Sequence, residues 1–334
     1  MPVRNAARFV DAAIASILSQ SFGALELVIL DDASTDSTWE RVLAWAERDG
    51  RVVPRQSSVH LGPALSSQRV VEESRFPLIA RQDADDVSLP SRLSRQIDLF
   101  QRFPDTAVVG TLYETIDENG TVVRPRDCGK LFRSKLFSPV PHGSLLFRRV
   151  DFETIGGYRQ ACDHWEDQDL MVRLCQRGSL RVVLDALYRN RVYLGSRAYQ
   201  VEEAELLQRQ QLALRCLHQA TQGRDYADLL NGNPPDFCHC LAFYASRAHY
   251  LWCGQRPGLL QRLLAHKLFP RSAADCCVWL LALGSEIEPR ATRWLLKQFL
   301  GASDWLAYRR LKGSSWVEIP YPWDKPKVPD HVQR

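Results

Sequence analysis

A chain of 334 residues with 45% hydrophobic content has the composition of a globular protein and room for one large domain or two moderate ones. Its net charge of +4 is too small for a nucleic-acid binder, and nine scattered cysteines, with no secretory signal ahead of them, fit a reducing, cytoplasmic setting better than a disulfide framework. Residues 1–199 balance 26 Lys and Arg against 26 Asp and Glu, so the whole positive excess falls in 200–334; the longest uncharged apolar run, 276–284, is far short of the roughly 20 residues that cross a bilayer.

After the opening Pro2-Val3-Arg4-Asn5, apolar residues Phe9, Val10, Ala13, Ile14, Ile17 and Leu18 recur at helical spacing. A strand over 25–30 then ends in Asp31-Asp32, and Ser37-Thr38-Trp39-Glu40 has the capping-box pattern of a helix start that runs to Gly50. The unit repeats with a weak strand at 51–56, a helix at 64–74 and a strand at 76–82 that runs into RQDADDVSLP, residues 81–90. Ser88-Leu89-Pro90 opens the next helix, with Leu93, Ile97 and Phe100 on one face and a proline where its missing N–H does no harm. The alternation predicts an α/β fold with a mixed, mostly parallel sheet flanked by helices. Ligands of such sheets bind beyond the carboxyl ends of the strands, where both acidic tips lie. From Val108 the pattern changes to strands at 108–113 and 144–148 separated by the turn Asp117-Glu118-Asn119-Gly120; after Arg197 it is mostly helical, and it ends in a Pro- and Trp-rich tail, 316–334. A domain boundary is expected near residue 200, between 1–199 and a helical region 200–334.

Three acidic clusters carry the chemistry. Asp83-Ala84-Asp85 sets two carboxylates at a strand end, where they can share a hard cation whose other oxygens come from elsewhere, such as a nucleoside diphosphate; the alternative is a turn whose acids cap the helix from Ser88. Asp31-Asp32-Ala33-Ser34-Thr35-Asp36 offers an acid to the N–H of a base, or merely a helix cap. Glu166-Asp167-Gln168-Asp169 crowds three acids into a first helical turn, where the macrodipole keeps a carboxylate ionised and able to take a proton from a hydroxyl.

Taken in order, Pro2-Val3-Arg4-Asn5, Asp31 to Asp36, Arg81 to Pro90 and Glu166 to Leu170 resemble the motifs of family 2 glycosyltransferases with the GT-A fold, over about residues 1–197. The resemblance implies a nucleotide-binding half at about 1–107 and an acceptor half at about 108–199. It implies an inverting transfer of a sugar from a nucleoside diphosphate donor, of the UDP type, to a hydroxyl of a glycan or lipid-linked acceptor in surface polysaccharide synthesis. In that pattern Pro2, Val3, Arg4, Asn5, Asp32, Asp83 and Ala84 bind the donor, with Asp32 reading the base. Asp83 and Asp85 hold Mg²⁺ or Mn²⁺ against the diphosphate, and Asp167 is the general base. His142, Trp165, Glu166 and Arg191 border the acceptor, Trp165 either as a stacking face for a sugar or as core. Three departures are visible: no strand precedes Pro2, so the first strand is expected to be missing; Arg4 stands where an aromatic residue is common; and Tyr193 stands where a His is common.

In the last third, Cys238-His239-Cys240 with His249 and Cys253 matches no familiar zinc spacing, and buried free thiols are the expectation. Residues 289–312 read as a basic, Trp-bearing amphipathic helix, either packed on its own domain or lying on the inner face of a membrane. Two other functions share these features: a non-catalytic relative that binds or assembles, favoured by a missing first strand, and a nucleotidyltransferase with a related sheet, disfavoured because Arg4-Asn5-Ala6-Ala7 is no Gly-rich loop.

Overall fold

The computed structural model describes residues 1–124, 140–163, 165–193, 196 and 315–319. The cysteine cluster at 238–253 and the basic stretch 289–312 lie outside the described residues. The chain divides into two compact units, one made of Met1–Val201 with Arg310–Arg334 and the other of Glu202–Arg309; all the described residues belong to the first.

Strands β1 (Pro2–Val3), β2 (Leu27–Asp32) and β3 (Val52–Ser57) form a parallel sheet in the order β1-β2-β3. Every residue of β2 is buried, and its side chains alternate between two cores. Leu27 and Ile29 meet Val10, Ala13, Ile14 and Ile17 of helix α1 (Val10–Leu18) and Val42 of α2 (Thr38–Arg48), whereas Val28 and Leu30 meet Val70 of α3 (Pro63–Glu72). A strand covered on both faces reads as a continuous apolar run, which is what the sequence shows. The first strand, expected to be missing, is present as two residues: Pro2 and Val3 pair with Leu30 and Asp31, and the Leu30 N–H donates to the Met1 carbonyl at 3.1 Å. The tip of β2 needs partners for its backbone groups, and a proline without an N–H is tolerated because β1 is an edge.

The second sheet has the order β10-β9-β6-β8-β4, built from β4 (Leu78–Ala80), β6 (Thr106–Ile116), β8 (Leu146–Arg148), β9 (Ser179–Arg191) and β10 (Trp316–Ile319). To it are added β5 (Val87–Ser88) on β9 and β7 (Val122–Arg124) on β6. Only β6 and β9 run parallel there, joined by a crossover that holds α5 (Arg149–Thr154) and α6 (Glu166–Cys175). The sheet system is thus mixed: the first sheet is all parallel, and the second is antiparallel except for the long β6–β9 pair. Helix α4 (Arg92–Arg102) lays Leu99 and Phe100 on Val109, Leu146, Val183 and Leu187. Strand β10, drawn from the Pro- and Trp-rich tail, pairs antiparallel with Leu180 to Val183 of β9.

Two local expectations are corrected. The capping box at Ser37 does not form; Asp36 Oδ1 instead accepts the Thr38 N–H at 3.0 Å, because the short Asp side chain reaches the N–H two residues on. The fourth helix starts at Arg92 rather than at Pro90, since Val87–Ser88 is taken by pairing with β9.

The loops that crown the first sheet interlock. Asn5 N–H donates to Ser34 Oγ at 3.0 Å, Asn5 Oδ1 accepts the Thr35 N–H at 2.8 Å, and Ala6 N–H donates to Thr38 Oγ1 at 2.8 Å. This geometry holds Asn5 at φ 47 and Ala33 at φ 54. Asn tolerates that region, but for Ala it costs about 1–2 kcal/mol, only part of which glycine would lose again through its freer unfolded chain. Ala33→Gly is expected to raise stability by about 0.5–1 kcal/mol, measured by urea unfolding; unchanged or lower stability would contradict the strain at this position.

Candidate active site

The acidic loop after β4 is folded from inside by Gln82, whose Nε2 donates to the carbonyls of Asp83 and Asp86, both at 3.0 Å. Asp86 is 1% exposed and accepts the Arg191 N–H at 2.7 Å and Asn190 Nδ2 at 3.2 Å. Burial, then Asp85 and Asp83, push its carboxyl well above the ordinary range. Asp86 therefore orients the loop against β9 and caps nothing; the start of α4 is capped by Gln20 Oε1, which accepts the Leu93 N–H at 3.0 Å.

Asp83 and Asp85 are left to face outward. Asp83 is part-exposed and its Oδ1 accepts from Arg81 Nη2 at 3.1 Å. Asp85 is pushed up to about 6, by burial first and by the charge of Asp83 second, against hydrogen bonds that include the Tyr193 hydroxyl. Two carboxylates held in mutual repulsion fit a small hard cation completed by substrate oxygens. Among the described residues no three His, Cys, Asp or Glu side chains are grouped to hold an ion by themselves. Ala84, between them, packs on the first core.

Behind the loop lies Arg92, fully buried. Its Nη1 donates to Gln82 Oε1 at 3.1 Å, Ser88 Oγ at 2.6 Å and the Gly143 carbonyl at 3.1 Å, and its Nη2 to the Arg81 carbonyl at 2.6 Å. Its guanidinium also lies 5.5 Å from the centre of the Tyr188 ring. The Tyr188 hydroxyl touches the same loop, 3.4 Å from the Asp83 N–H. Gly143 must be glycine: a Cβ there would lie 1.9 Å from the Tyr188 hydroxyl and 2.7 Å from Asp83 Oδ2.

At the tip of β2, Asp32 is already spent. It accepts the Leu61 N–H at 2.6 Å and the Gly62 N–H at 3.1 Å and lies 3.0 Å from His60 Nδ1, tying the start of α3 to the strand. Asp31, fully buried, has only long contacts to Oδ2, from the Ser34 N–H at 3.3 Å and Gln56 Nε2 at 3.4 Å, and its Oδ1 has no hydrogen-bond partner. Pro2 and Val3 belong to β1, with Val3 in the core; Asn5 is occupied by the loop lock, and Arg4 is exposed.

On the other side, Glu166 and Asp167 open α6, and the Asp167 carboxylate accepts the Gln168 N–H at 2.8 Å and Gln168 Nε2 at 2.9 Å. Asp169 is structural, fully buried and ion-paired with Arg173. Tyr158 is buried, with its hydroxyl 2.7 Å from His142 Nε2. Burial first, and then Glu166, Asp83 and Asp167, keep that phenol protonated against the opposing charge of Arg81. Arg81, 4% exposed, likewise senses Tyr158, Asp83 and Glu166, which outweigh its burial and raise its pKa. Asp83 and the two acids that open α6 thus share one electrostatic cluster with Tyr158 and Arg81.

For Trp165 the structure selects one of the two alternatives, and for Arg191 it shows other partners. Trp165 is 4% exposed, so it packs and offers no open stacking face. Arg191 buttresses the acidic loop, donating through Nε to the Asp85 carbonyl at 2.7 Å and through Nη1 to the Asp117 carbonyl at 2.8 Å. Sequence reading missed Arg92, Gln82 and Tyr188. The available signal was polar Arg92 and Gln96, four residues apart on the core face of α4.

A profile described as "Glycosyl transferase family 2" matches residues 1–155. EpsE of Bacillus subtilis (strain 168), which carries a glycosyltransferase name, is 32% identical over 200 residues, covering 57% of this chain and 71% of EpsE. The chain belongs to glycosyl transferase family 2. The O-antigen biosynthesis glycosyltransferase WbnJ of Escherichia coli is 29% identical over 52% of the chain and 69% of WbnJ. Among solved structures, S. aureus TarS 1-349 in complex with UDP-GlcNAc shares the fold at a TM-score of 0.56 and 17% identity, over 98% of this chain and 95% of that one. The mannosyltransferase PcManGT from Pyrobaculum calidifontis, in complex with GDP-Man and Mn²⁺, does so at 0.52 and 20%, over 90% and 84%. This family 2 member is a glycosyltransferase with a mixed α/β, GT-A-type fold.

The raised pKa of Asp85 fixes the sign of a pH effect. Its folded pKa of about 6 lies above the unfolded value, so its contribution to stability is complete below about pH 4 and is lost as the pH rises through 6. In chelator, Asp85→Asn is expected to match the wild type below about pH 4 and to exceed it in urea-unfolding stability by on the order of 2 kcal/mol at pH 7.5. Equal stability at both pH values would contradict the raised pKa that burial and Asp83 give Asp85.

Proposed function

We propose that this glycosyltransferase moves a sugar from a UDP-type donor to a hydroxyl of a glycan or lipid-linked acceptor with inversion, in the synthesis of a surface polysaccharide. The observation that carries the reading is the outward pair Asp83 and Asp85 set in the same electrostatic cluster as Glu166 and Asp167. The names of the relatives support the polysaccharide setting, and the UDP-GlcNAc bound to the TarS neighbour supports a UDP-type donor.

Asp83 and Asp85 would hold Mg²⁺ or Mn²⁺ beside the diphosphate, and such an ion offsets the charge of the departing group. Asp31 is better suited than Asp32 to accept the N–H of the base, because its Oδ1 is unpartnered whereas both Asp32 oxygens serve α3. Arg4 lies exposed beside that tip, where its guanidinium plane can stack on the base. Asp167, in the positive field at the start of α6, takes the proton of the acceptor hydroxyl as that oxygen attacks the anomeric carbon opposite the diphosphate. Glu166 and His142 border the acceptor. Peripheral membrane contact through the basic, Trp-bearing stretch 289–312 is a further part of the proposal.

A melting screen of nucleotide sugars with Mn²⁺ should single out one donor, and hydrolysis of that donor should require the metal. Asp85→Ala should remove both effects. Asp167→Asn should lower turnover by about 10²-fold or more while keeping donor affinity. A soluble, folded protein that binds no nucleotide sugar and turns none over would refute the enzyme reading in favour of a binding or assembly role. For the base, Asp31→Asn is expected to weaken UDP binding by about tenfold with little loss of melting temperature, and Asp32→Asn to lower the melting temperature first; the reverse pattern would return the role to Asp32.

A further inference from the structure

Helix α3 is tied at two points to the segment that delivers Glu166 and Asp167. In its first turn the Ala64 N–H donates to Asp163 Oδ1 at 2.9 Å. Four residues on, and so on the same helical face, Gln68 Oε1 accepts the Tyr158 N–H at 2.8 Å. Both seats are cut close. A Cβ on Gly157 would lie 2.1 Å from Gln68 Oε1, and one on Gly62 would lie 2.9 Å from Asp163 Oδ2, with both glycines at positive φ. Held by its backbone, Tyr158 sets its ring edge-on to Phe152, 5.6 Å between centres, and its hydroxyl beside His142.

The same helix start is bound from the nucleotide side. Asp32, at the tip of β2, takes the N–H groups of Leu61 and Gly62, immediately before Pro63 opens α3. The N-terminal N–H groups of a helix have no partners within it, and their positive end favours anions. Here the Ala64 N–H in the first turn goes to Asp163, and the two N–H groups just ahead of the helix go to Asp32.

We propose that Gln68 and Asp163 are positioning residues for glycosyl transfer: they pin segment 157–163 to α3 and so present the Glu166–Asp167 start of α6 to the donor site in a fixed geometry. The proposal rests on the assignment of Asp167 made above. A displacement of about 1 Å at a reacting group costs on the order of 10²-fold in rate, which is the scale of effect that such pins protect.

The test uses the full chain as wild type, Gln68→Leu, Gln68→Glu combined with Glu72→Gln, and Asp163→Ala. Three quantities are measured with Mn²⁺ present: UDP affinity by calorimetry, amide hydrogen exchange over 157–167, and hydrolysis of the nucleotide sugar selected by the melting screen. Gln68→Leu and Asp163→Ala are expected to keep UDP affinity within about threefold, to speed exchange in 157–167 by about tenfold or more, and to lower hydrolytic kcat by about tenfold at unchanged donor KM. Gln68→Glu combined with Glu72→Gln, which keeps an acceptor oxygen for the Tyr158 N–H and exchanges the donor between the two side chains, is expected to keep kcat at the wild-type level. Unchanged exchange in Gln68→Leu overturns the proposal, as does a kcat loss that arrives together with equal losses of UDP affinity and melting temperature. A wild type that binds no UDP defeats the donor-site reading instead, and the exchange measurement then decides the pinning by itself.

Discussion

A guanidinium sealed from water, with neutral oxygens as its hydrogen-bond partners, underlies the candidate site. Removing a charge from water costs several kcal/mol unless its donors are satisfied, and hydrogen bonds from a charged donor return about 1.5–3 kcal/mol each. Arg92 is pulled down to about 10, chiefly by burial, and so remains a cation at neutral pH. Its four bonds, all from Nη1 and Nη2, end on the carbonyls of Arg81 and Gly143 and on the side chains of Gln82 and Ser88, and Nε has no hydrogen-bond partner among the described residues. Those acceptors come from the end of β4, from both sides of the acidic loop and from the turn before β8. Three short segments, each too small to hold its own shape, are thereby fixed to one rigid helix. A lysine, with a point charge and a different reach, could not make the same set of contacts.

The cation also explains why the acidic loop tolerates its own charge. Arg92 faces the loop from beneath and Arg81 from beside it, while Asp86 turns inward to the β9 backbone. Only Asp83 and Asp85 are left facing outward, and the repulsion between them is the part of the charge that the protein does not neutralise by itself. Negative charge is thus concentrated at one point of the surface rather than spread along the strand end.

The parts of this arrangement that rest on local periodicity were legible in the sequence. Helices α1 to α4 and strands β2, β3 and β6 fall close to the expected places, because amphipathic spacing and the continuous apolar run of a doubly covered strand survive folding. The acidic tips and the order of the motifs were legible too. What was hidden depends on tertiary partners. A two-residue strand has no periodicity to detect, and Pro2–Val3 is a strand only because the edge of β2 accepts it. The division of labour between Asp31 and Asp32 depends on where the loop at 60–62 falls, and the packing of Trp165 on the folding of the turn that precedes α6. Arg92 looks like any surface arginine near a helix start until three other segments close over it.

The contact between Gly143, Asp83 and the Tyr188 hydroxyl reaches beyond the static site. A single hydrogen atom at position 143 leaves the space in which the outward carboxylate and the phenol sit, and the Gln68 oxygen fills the corresponding space beside Gly157. Neither glycine can be varied without displacing its neighbour. A mutational library around this site should therefore hold 143 and 157 constant, so that selection is not consumed by variants that have lost the frame.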